Sequence, residues 1–240
     1  MSARSFSPRR LDQSFSRLAY PAALKSLLLA NNPAYCHYFD DFQGDALNAQ
    51  YPANVGTGTQ VVGVTEAVNG TATLTTGANA ADSAGQHYWR HWNGTNGFYY
   101  ICRFQQDTIT LAKFEVGLND AITGDTGMVA TKATPTHTGT SYAVMCRDTN
   151  DDSNVTFISA AAGAAGANAD WGGTFAAGTY FIAEIVGAGA FVSGYMNGQY
   201  VGGGAITAGT AVTPWIYTLK REAVARTLTV DYQGIMGPRA

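Results

Sequence analysis

Short stretches of alternating apolar and polar residues recur along the chain after Tyr38, and clusters of Gly, Asn, Asp and Thr separate them. Alternation with a period of two places successive side chains on opposite faces of a β-strand, and residues 99–104 and 227–232 show it clearly. No stretch beyond Tyr38 has a convincing helical period. Many strands without crossover helices indicate an all-β fold, a sandwich of two antiparallel sheets. Strands are predicted at 59–64, 71–75, 97–104, 113–118, 142–147, 155–159, 179–186, 191–196 and 227–233.

Two segments of small residues, 160–169 and 202–204, interrupt this pattern. The first is rich in Ala, but its glycines disfavour a helix. We interpret both segments as flexible loops between strands.

The first 36 residues differ in character from the rest. Their basic residues face a single acid, Asp12, and the segment has little apolar surface of its own. Pro21 is suited to the first position of a short helix over 22–30, which 31–33 would end. We therefore divide the chain into a basic N-terminal arm over 1–36 and a β-sandwich over 37–240. Such an arm either lies on its own domain or is ordered by a partner.

Composition narrows the class of protein. Of the 240 residues 46% are hydrophobic and only 13% are charged, against an average charged share of about 25%. The net charge of −3 gives no electrostatic case for a nucleic-acid-binding domain. Cys36, Cys102 and Cys146 are widely spaced and odd in number, so we expect reduced, mostly buried thiols. No apolar run approaches the roughly 20 residues that cross a bilayer, and no membrane contact is expected.

One polar cluster imitates the start of a calcium loop. Asp148, Asn150 and Asp152 alternate as oxygen ligands of hard cations do. The match fails later, because Ser153 replaces the expected glycine and Ser159 the bidentate glutamate. A solvated turn between two strands is favoured over a weak calcium site, and no metal or cofactor is assigned.

Aromatic residues suggest a second kind of surface. His87, Trp89 and His91 would share one face of a strand, and a packed or interface strip is favoured there over a metal site. Trp89, Trp92 and Trp171 remain candidates for stacking on sugar rings or for anchoring a protein interface.

Three segments resemble the concanavalin A-like or laminin-G-like jelly rolls. Residues 39–47 (FDDFQGDAL) look like their opening strand, residues 195–202 (YMNGQYVG) resemble their Tyr-x-Asn-Gly hairpin, and residues 228–232 (LTVDY) resemble their closing strand. Independently of this resemblance, the Asn197-Gly198 pair favours a tight hairpin, because it supplies the two positive-φ positions of a type I′ turn. The resemblance covers about 38–236 and implies a jelly-roll sandwich. The family includes glycan-binding modules, glycanases and many phage virion proteins, so the fold leaves the function open.

A retaining glycanase of this family would carry paired carboxylates on one strand, as in Glu-x-Asp-x-x-Glu. No such string is present. Glu115 and Glu184 stand within apolar strand patterns, and we interpret them as carboxylates of an exposed face or rim. No catalytic residue is assigned.

The resemblance, the arm and the missing catalytic string together favour a non-enzymatic structural protein of the phage virion, assembled in the host cytoplasm. We expect a capsid decoration or cement protein, anchored by its arm to the major capsid protein or another virion protein. We also expect a homo-oligomer, and a trimer is what this class of protein suggests. A protein groove is favoured over nucleic acid as the partner of the arm. The alternatives are a carbohydrate-binding module of a tail fibre or host-recognition device and, less favoured, a glycanase. The arm residues expected to bind the partner are Arg4, Phe6, Arg9, Arg10, Phe15, Arg17 and Leu18.

Overall fold

The computed structural model describes residues 35–42, 51, 56, 61–65, 70–77, 79, 81–88, 92–121, 127–132 and 136–238. The arm residues named above and the helix expected over 22–30 lie outside them. Within this part of the chain every regular element is a strand. The strands are β1 (Tyr35–Asp40), β2 (Val61–Thr65), β3 (Thr71–Thr75), β4 (Ser83–His87), β5 (Phe98–Gln106), β6 (Ala112–Asn119), β7 (Val129–Thr131), β8 (Thr136–His137), β9 (Tyr142–Asp148), β10 (Thr156–Ala161), β11 (Ala164–Asp170), β12 (Phe181–Ala188), β13 (Phe191–Met196), β14 (Gln199–Ala205), β15 (Thr213–Lys220) and β16 (Thr227–Pro238).

Two antiparallel sheets form the sandwich. The eight-stranded sheet has the order β14-β13-β12-β5-β16-β3-β2. Strand β1 joins it beside the second half of β16, where Tyr35 pairs with Pro238 and Asp40 with Gln233. The six-stranded sheet has the order β11-β10-β9-β6-β15-β4, and β7 and β8 form a separate two-stranded ladder. The predicted all-β sandwich of two antiparallel sheets is confirmed.

The core lies between the two sheets and is built from alternate residues of their strands. Phe104 of β5 and Phe114 of β6 meet across it, with ring centroids 5.1 Å apart. Phe175 lies 5.1 Å from Phe114 and 4.5 Å from Phe181 by the same measure. Burial of such aromatic rings supplies a large share of the apolar area removed from water.

The two small-residue segments are strands rather than loops, so that interpretation is wrong. Strands β10 and β11 form a hairpin whose turn residues, Ala162 and Gly163, have φ of 50° and 78°. Residues 202–204 lie within β14. A Cβ on Gly204 would lie 2.2 Å from the carbonyl oxygen of Gly166 in β11. The small residues therefore allow edge strands of opposite sheets to pack backbone against backbone.

The thiols behave as expected where they are described, because Cys102 and Cys146 are free and buried. Burial raises the pKa of both. Among the described residues, no helix is long and apolar enough to cross a bilayer.

Candidate functional site

The outer face of the six-stranded sheet, turned away from the core, carries a buried ion pair. Lys113 and Glu115 are alternate residues of β6 and leave the sheet on this face, because Phe114 between them fills the core. Lys113 Nζ lies 2.9 Å from Glu115 Oε1. From β15, Trp215 Nε1 donates to Glu115 Oε2 at 3.0 Å. Burial alone would lower the pKa of Lys113, but the Glu115 carboxylate outweighs it and raises that pKa above its ordinary value.

Residues 127–132 cover this ion pair. The amides of Met128 and Val129 donate to Glu115 Oε2 and Oε1 at 2.7 and 3.0 Å. Lys113 Nζ donates in turn to the carbonyl oxygen of Val129. Gly127 has φ of 75°, and a Cβ there would lie 2.4 Å from Glu115 Oε1. The Glu115 carboxylate thus holds the backbone of residues 127–132 against the sheet.

The interpretation of Glu115 and Glu184 as carboxylates of an exposed face or rim is therefore wrong, since both are buried. The sequence signal was misleading because an outer sheet face normally meets water. Here both glutamates are shielded from water although they stand on outer faces. The two glutamates lie in different sheets, Glu115 in β6 and Glu184 in β12.

Glu184 lies on the outer face of the eight-stranded sheet, opposite Ile101 of β5 and Tyr195 of β13. Its Oε1 accepts a hydrogen bond from the hydroxyl of Tyr99 at 2.6 Å. Burial raises the pKa of Glu184 to about 7, although the Tyr99 hydrogen bond opposes the rise. This carboxyl consequently changes charge near neutral pH.

Apolar side chains surround Glu184, and together with it they form what we call the covered face. Arg103, at its margin, lies over the Tyr180 ring with 4.1 Å between the guanidinium carbon and the ring centroid, and it pairs with Asp231. The covered face consists of Tyr99, Ile101, Glu184, Tyr232 and Met236, with Phe39, Ile182 and Val186 partly buried around them.

The same sheet carries exposed and partly exposed aromatic side chains near its β14 edge. Phe191, Tyr195 and Tyr200 form what we call the aromatic patch. The two tyrosine rings meet edge to face, with centroids 5.5 Å apart. The Phe191 ring and the Tyr200 hydroxyl both approach the space above Gly203, where a Cβ would lie 2.5 and 3.0 Å from them. Sequence reasoning missed this patch, although the alternation at 191–195 and the Asn-Gly turn that pairs β13 with β14 were visible.

Of the calcium candidates, Asp148 ends β9, and Asn150 and Asp152 follow it in the turn before β10. The two carboxylates pair with cationic side chains of the same chain. Asp148 accepts from Arg221 through both oxygens, with Arg221 Nε 3.0 Å from Oδ1. Asp152 pairs with Lys132. Partial burial acts to raise the pKa of Asp152, but the Lys132 hydrogen bond and other contacts outweigh it and lower that pKa. The side chain of Asn150 is exposed. Across the described ranges, no group of three or more His, Cys, Asp or Glu side chains is placed to hold a metal ion.

The tryptophan candidates do not form a shared platform. Trp92 and Trp171 are both buried in the inter-sheet core and offer little ring surface for stacking. Trp171 packs edge to face on Phe181 and donates from Nε1 to Gln199 Oε1 at 3.0 Å. Trp89 lies outside the described residues. Within the described part of the chain, the most exposed aromatic rings are those of Phe191 and Tyr200 in the aromatic patch.

The sandwich is similar to several solved structures at low identity. A protein of unknown function from Shewanella oneidensis MR-1 superposes with a TM-score of 0.60 and 12% identity, over 92% of this chain and 95% of its own. Peanut lectin superposes with a TM-score of 0.60 and 11% identity, over 86% of this chain and 98% of its own. The β-glucanase of Bacillus licheniformis superposes with a TM-score of 0.57 and 9% identity, over 83% of this chain and 97% of its own. No protein-family model and no curated protein matches the chain.

The fold is therefore a jelly-roll sandwich, as the sequence resemblance implied, and a lectin and a glucanase are among the structures that share it. A lectin and a glucanase share it with a protein of unknown function. The activity of this chain must be argued from its own surfaces, because one fold supports many functions.

Proposed function

We propose that this chain is a non-enzymatic structural protein of a phage particle, a capsid decoration or cement protein that its basic N-terminal arm attaches to the major capsid protein or another virion protein. In this proposal the jelly-roll domain faces outward from the particle. Symmetric homo-oligomers are common among such components, and a trimer fits a decoration role.

The observation that supports this proposal best is that the buried ion pair of Lys113 and Glu115 serves a structural role. Glu115 accepts from two backbone amides and one indole and pairs with Lys113. The two amide bonds hold residues 127–132 against the sheet, and the indole bond joins β6 to β15. A buried carboxylate committed in this way rigidifies the sandwich, as a particle component requires.

The position of the arm supports the same proposal. Strand β1 begins at Tyr35, which pairs with Pro238 at the end of the last strand. The arm therefore joins the sandwich at the residue that pairs with the end of β16. Its basic residues are concentrated in an otherwise acidic chain, so an acidic groove on a partner is the complementary surface.

Binding of the full-length chain to purified phage heads tests the attachment. Neutralising the arm arginines is expected to weaken binding about tenfold or more, since four positive charges that would face the partner are lost. Added salt is expected to weaken wild-type binding as well. The arm set is Arg4→Gln, Arg9→Gln, Arg10→Gln and Arg17→Gln.

A control set lowers the net charge by the same amount at exposed positions of the sandwich. The control substitutions are Thr110→Glu, Asn150→Glu, Ala177→Glu and Ala211→Glu. The control is expected to bind as the wild type does. Equal binding by the arm set and the wild type would refute attachment through the arm.

A second candidate function, carbohydrate binding, is favoured by the aromatic patch. Phe191 and Tyr200 are more than half exposed, and such rings offer flat apolar faces beside hydroxyl groups. A glycan array probed with the full-length chain tests it. Phe191→Ala and Tyr200→Ala are each expected to lower the affinity for a bound glycan about tenfold, whereas Val224→Ala, at another exposed apolar position, leaves it unchanged. A blank array would count against this candidate.

A further inference from the structure

Three polar side chains point into the space between the two sheets at one end of the sandwich. Gln106 ends β5, Arg147 is the next-to-last residue of β9, and Lys220 ends β15. Each stands an even number of residues from a core side chain of its own strand and therefore shares the inward face of that strand. Their exposed fractions are 0%, 3% and 0%. We call these three residues the cationic site.

The topology places the three side chains next to one another. Arg147 and Lys220 lie in the strands on either side of β6, which are about 10 Å apart. Between them β6 presents Ala112, which pairs with Lys220 and has a side chain of one methyl group. Residues 107–111 connect Gln106 to Ala112 across the two sheets, and the phenylalanine rings two positions away from each, in β5 and β6, meet with centroids 5.1 Å apart. Gln106 therefore lies over Ala112, between the two cations.

Both cations are bound by backbone carbonyl oxygens. Lys220 Nζ donates to the carbonyl oxygen of Gly77 at 2.7 Å, which joins β15 to the chain just after β3. Arg147 donates from Nε to Ser153 at 2.9 Å and from Nη2 to Ile109 at 2.6 Å, in each case to the carbonyl oxygen. A carbonyl oxygen is a neutral acceptor, so these bonds leave the two positive charges uncompensated.

The acids of the adjoining turn are committed to other cations. Asp148 pairs with Arg221, and Asp152 pairs with Lys132. Burial lowers the pKa of Arg147, although the more distant charges of Asp152 and Asp148 oppose this change. Within the described ranges, no carboxylate forms an ion pair with either cation of the site. Two buried positive charges without a negative partner are costly, and they favour the binding of an anion.

Hydrogen-bonding groups are left over in the cationic site as well. Neither Nε2 nor Oε1 of Gln106 has a hydrogen-bond partner in the described part of the chain, and Arg147 Nη1 has none there either. A buried water molecule would serve the amide, but it brings no charge to offset the two cations. The oxygens of a hydrogen phosphate ion would accept from Arg147, Lys220 and Gln106 Nε2. Its hydroxyl would donate to Gln106 Oε1, for which a sulfate ion has no proton.

The loops over 107–111 and 221–226 separate the cationic site from solvent. The amide of Arg221 in the second loop donates to the carbonyl oxygen of Leu111 in the first at 2.8 Å. Every residue of both loops is exposed or partly exposed, so few buried contacts hold them. We expect a ligand to enter where these loops part, and a site this enclosed admits a small ion rather than a polymer.

We propose that the cationic site binds one hydrogen phosphate ion between the two sheets, held by Arg147 and Lys220 from the six-stranded sheet and by Gln106 from the eight-stranded sheet. The ion supplies the negative charge that the described residues do not, and it joins the two sheets at this end of the sandwich. Such binding favours the folded chain, because the unfolded chain does not assemble the three groups. The site lies in the jelly roll, so this inference is independent of the attachment of the arm to a phage particle.

Phosphate binding to the full-length chain tests the inference. Phosphate released from the purified protein on denaturation is measured by a colorimetric assay. Isothermal titration calorimetry in chloride buffer then follows the binding of sodium phosphate and of sodium sulfate. We expect one phosphate per chain as the sum of the two measurements, and an affinity for sulfate about tenfold weaker or less. An absence of phosphate in both measurements, or equal affinities for the two ions, would overturn the inference.

Two variants assign the ion to this site. Lys220→Met removes one positive charge, and Gln106→Met removes both amide contacts without changing the net charge. Each is expected to weaken phosphate binding about tenfold or more. Arg103→Met is the control, because it also removes a positive charge but lies on the outward face of β5, paired with Asp231. The control is expected to bind phosphate as the wild type does.

Gln106→Met keeps the assignment testable if Lys220→Met does not fold, and circular dichroism of each variant reports its folding. Loss of binding in the Gln106 and Lys220 variants, but not in the control, supports the inference. Wild-type affinity in folded Gln106→Met, or an equal loss in Arg103→Met, would place the ion elsewhere on the chain and overturn it.

Discussion

Two buried glutamates show how differently one residue type is used in the two sheets. Glu115 has a lysine, an indole and two backbone amides as partners, so its charge is compensated. Glu184 accepts instead from the hydroxyl of Tyr99, a neutral group that stabilises a carboxylate less than an ammonium does. Burial consequently raises the pKa of Glu184 to about 7. We expect the stability of the sandwich to depend on pH through this residue.

The pH dependence has a definite sign. The pKa of Glu184 is about 7 in the folded chain and about 4.3 in an unfolded chain. The protonated form fits the buried site, so its contribution to stability is complete below pH about 4 and is lost as the pH rises through 7. Relative to Glu184→Gln, the free energy of unfolding of the wild type is expected to fall by up to roughly 3 kcal/mol between pH 4 and pH 8.

Urea unfolding followed by tryptophan fluorescence at a series of pH values measures this difference. Glu222→Gln is the control, because Glu222 is only half-buried and pairs with Arg226, and its difference from the wild type is expected to stay within about 1 kcal/mol at every pH. Parallel stability curves for the wild type and Glu184→Gln would contradict the assignment.

Predictions made for single residues from the sequence succeeded least, for a physical reason. Glu115 and Trp171 occupy strand or near-strand positions whose surroundings depend on chain segments distant in sequence. Residues 127–132 cover Glu115, and Phe181 and Gln199 enclose Trp171. The alternation of a strand says which side chains share a face, but it does not say whether that face meets water.

Among the elements, the glycine-rich edge strands β11 and β14 set how closely the two sheets approach. Gly166 and Gly204 face each other there, and a Cβ added to Gly204 would lie 2.2 Å from the Gly166 carbonyl oxygen. Gly204→Ala must therefore push the edge strands apart. We expect a loss of about 1–3 kcal/mol in the free energy of unfolding, as overpacking usually costs.

Gly209→Ala is the matched control for Gly204→Ala, because no atom lies within 4 Å of a Cβ at that position. We expect it to change stability by about 0.5 kcal/mol or less. Chemical denaturation of the three proteins under identical conditions makes the comparison. Similar stabilities for the Gly204 and Gly209 variants would show that β11 and β14 are not in close contact.

The strands that alternate clearly were predicted well, and of the strands buried throughout, β6 and β9 were predicted whereas β4 and β15 were missed. Residues 71–75 and 191–196 match β3 and β13 as predicted. Strand β15 is buried at every position, so it has no clear alternation, and it also contains Pro214, which is unusual inside a strand. Strand β4 is also buried throughout and consists of small and polar residues. A strand covered on both faces gives no period-two signal.

At the scale of the whole molecule, the fold was predictable and the function depends on surfaces. The order of the opening strand, the Asn-Gly hairpin and the closing strand indicated a jelly roll, and the two-sheet topology confirms it. Neither the covered face nor the aromatic patch was predictable, because each depends on which strands become neighbours. Strands β12, β5 and β16 are widely separated in sequence yet adjacent in the sheet.

The central claim is that this chain is a structural component of a phage particle attached through its arm. Electron cryomicroscopy of purified particles, with mass spectrometry of their proteins, tests it most directly. The account expects many symmetric copies, each with the sandwich facing outward and residues 1–34 seated on the capsid lattice. Particles that lack the chain, or copies that contact the lattice through the aromatic patch and not through the arm, would contradict it.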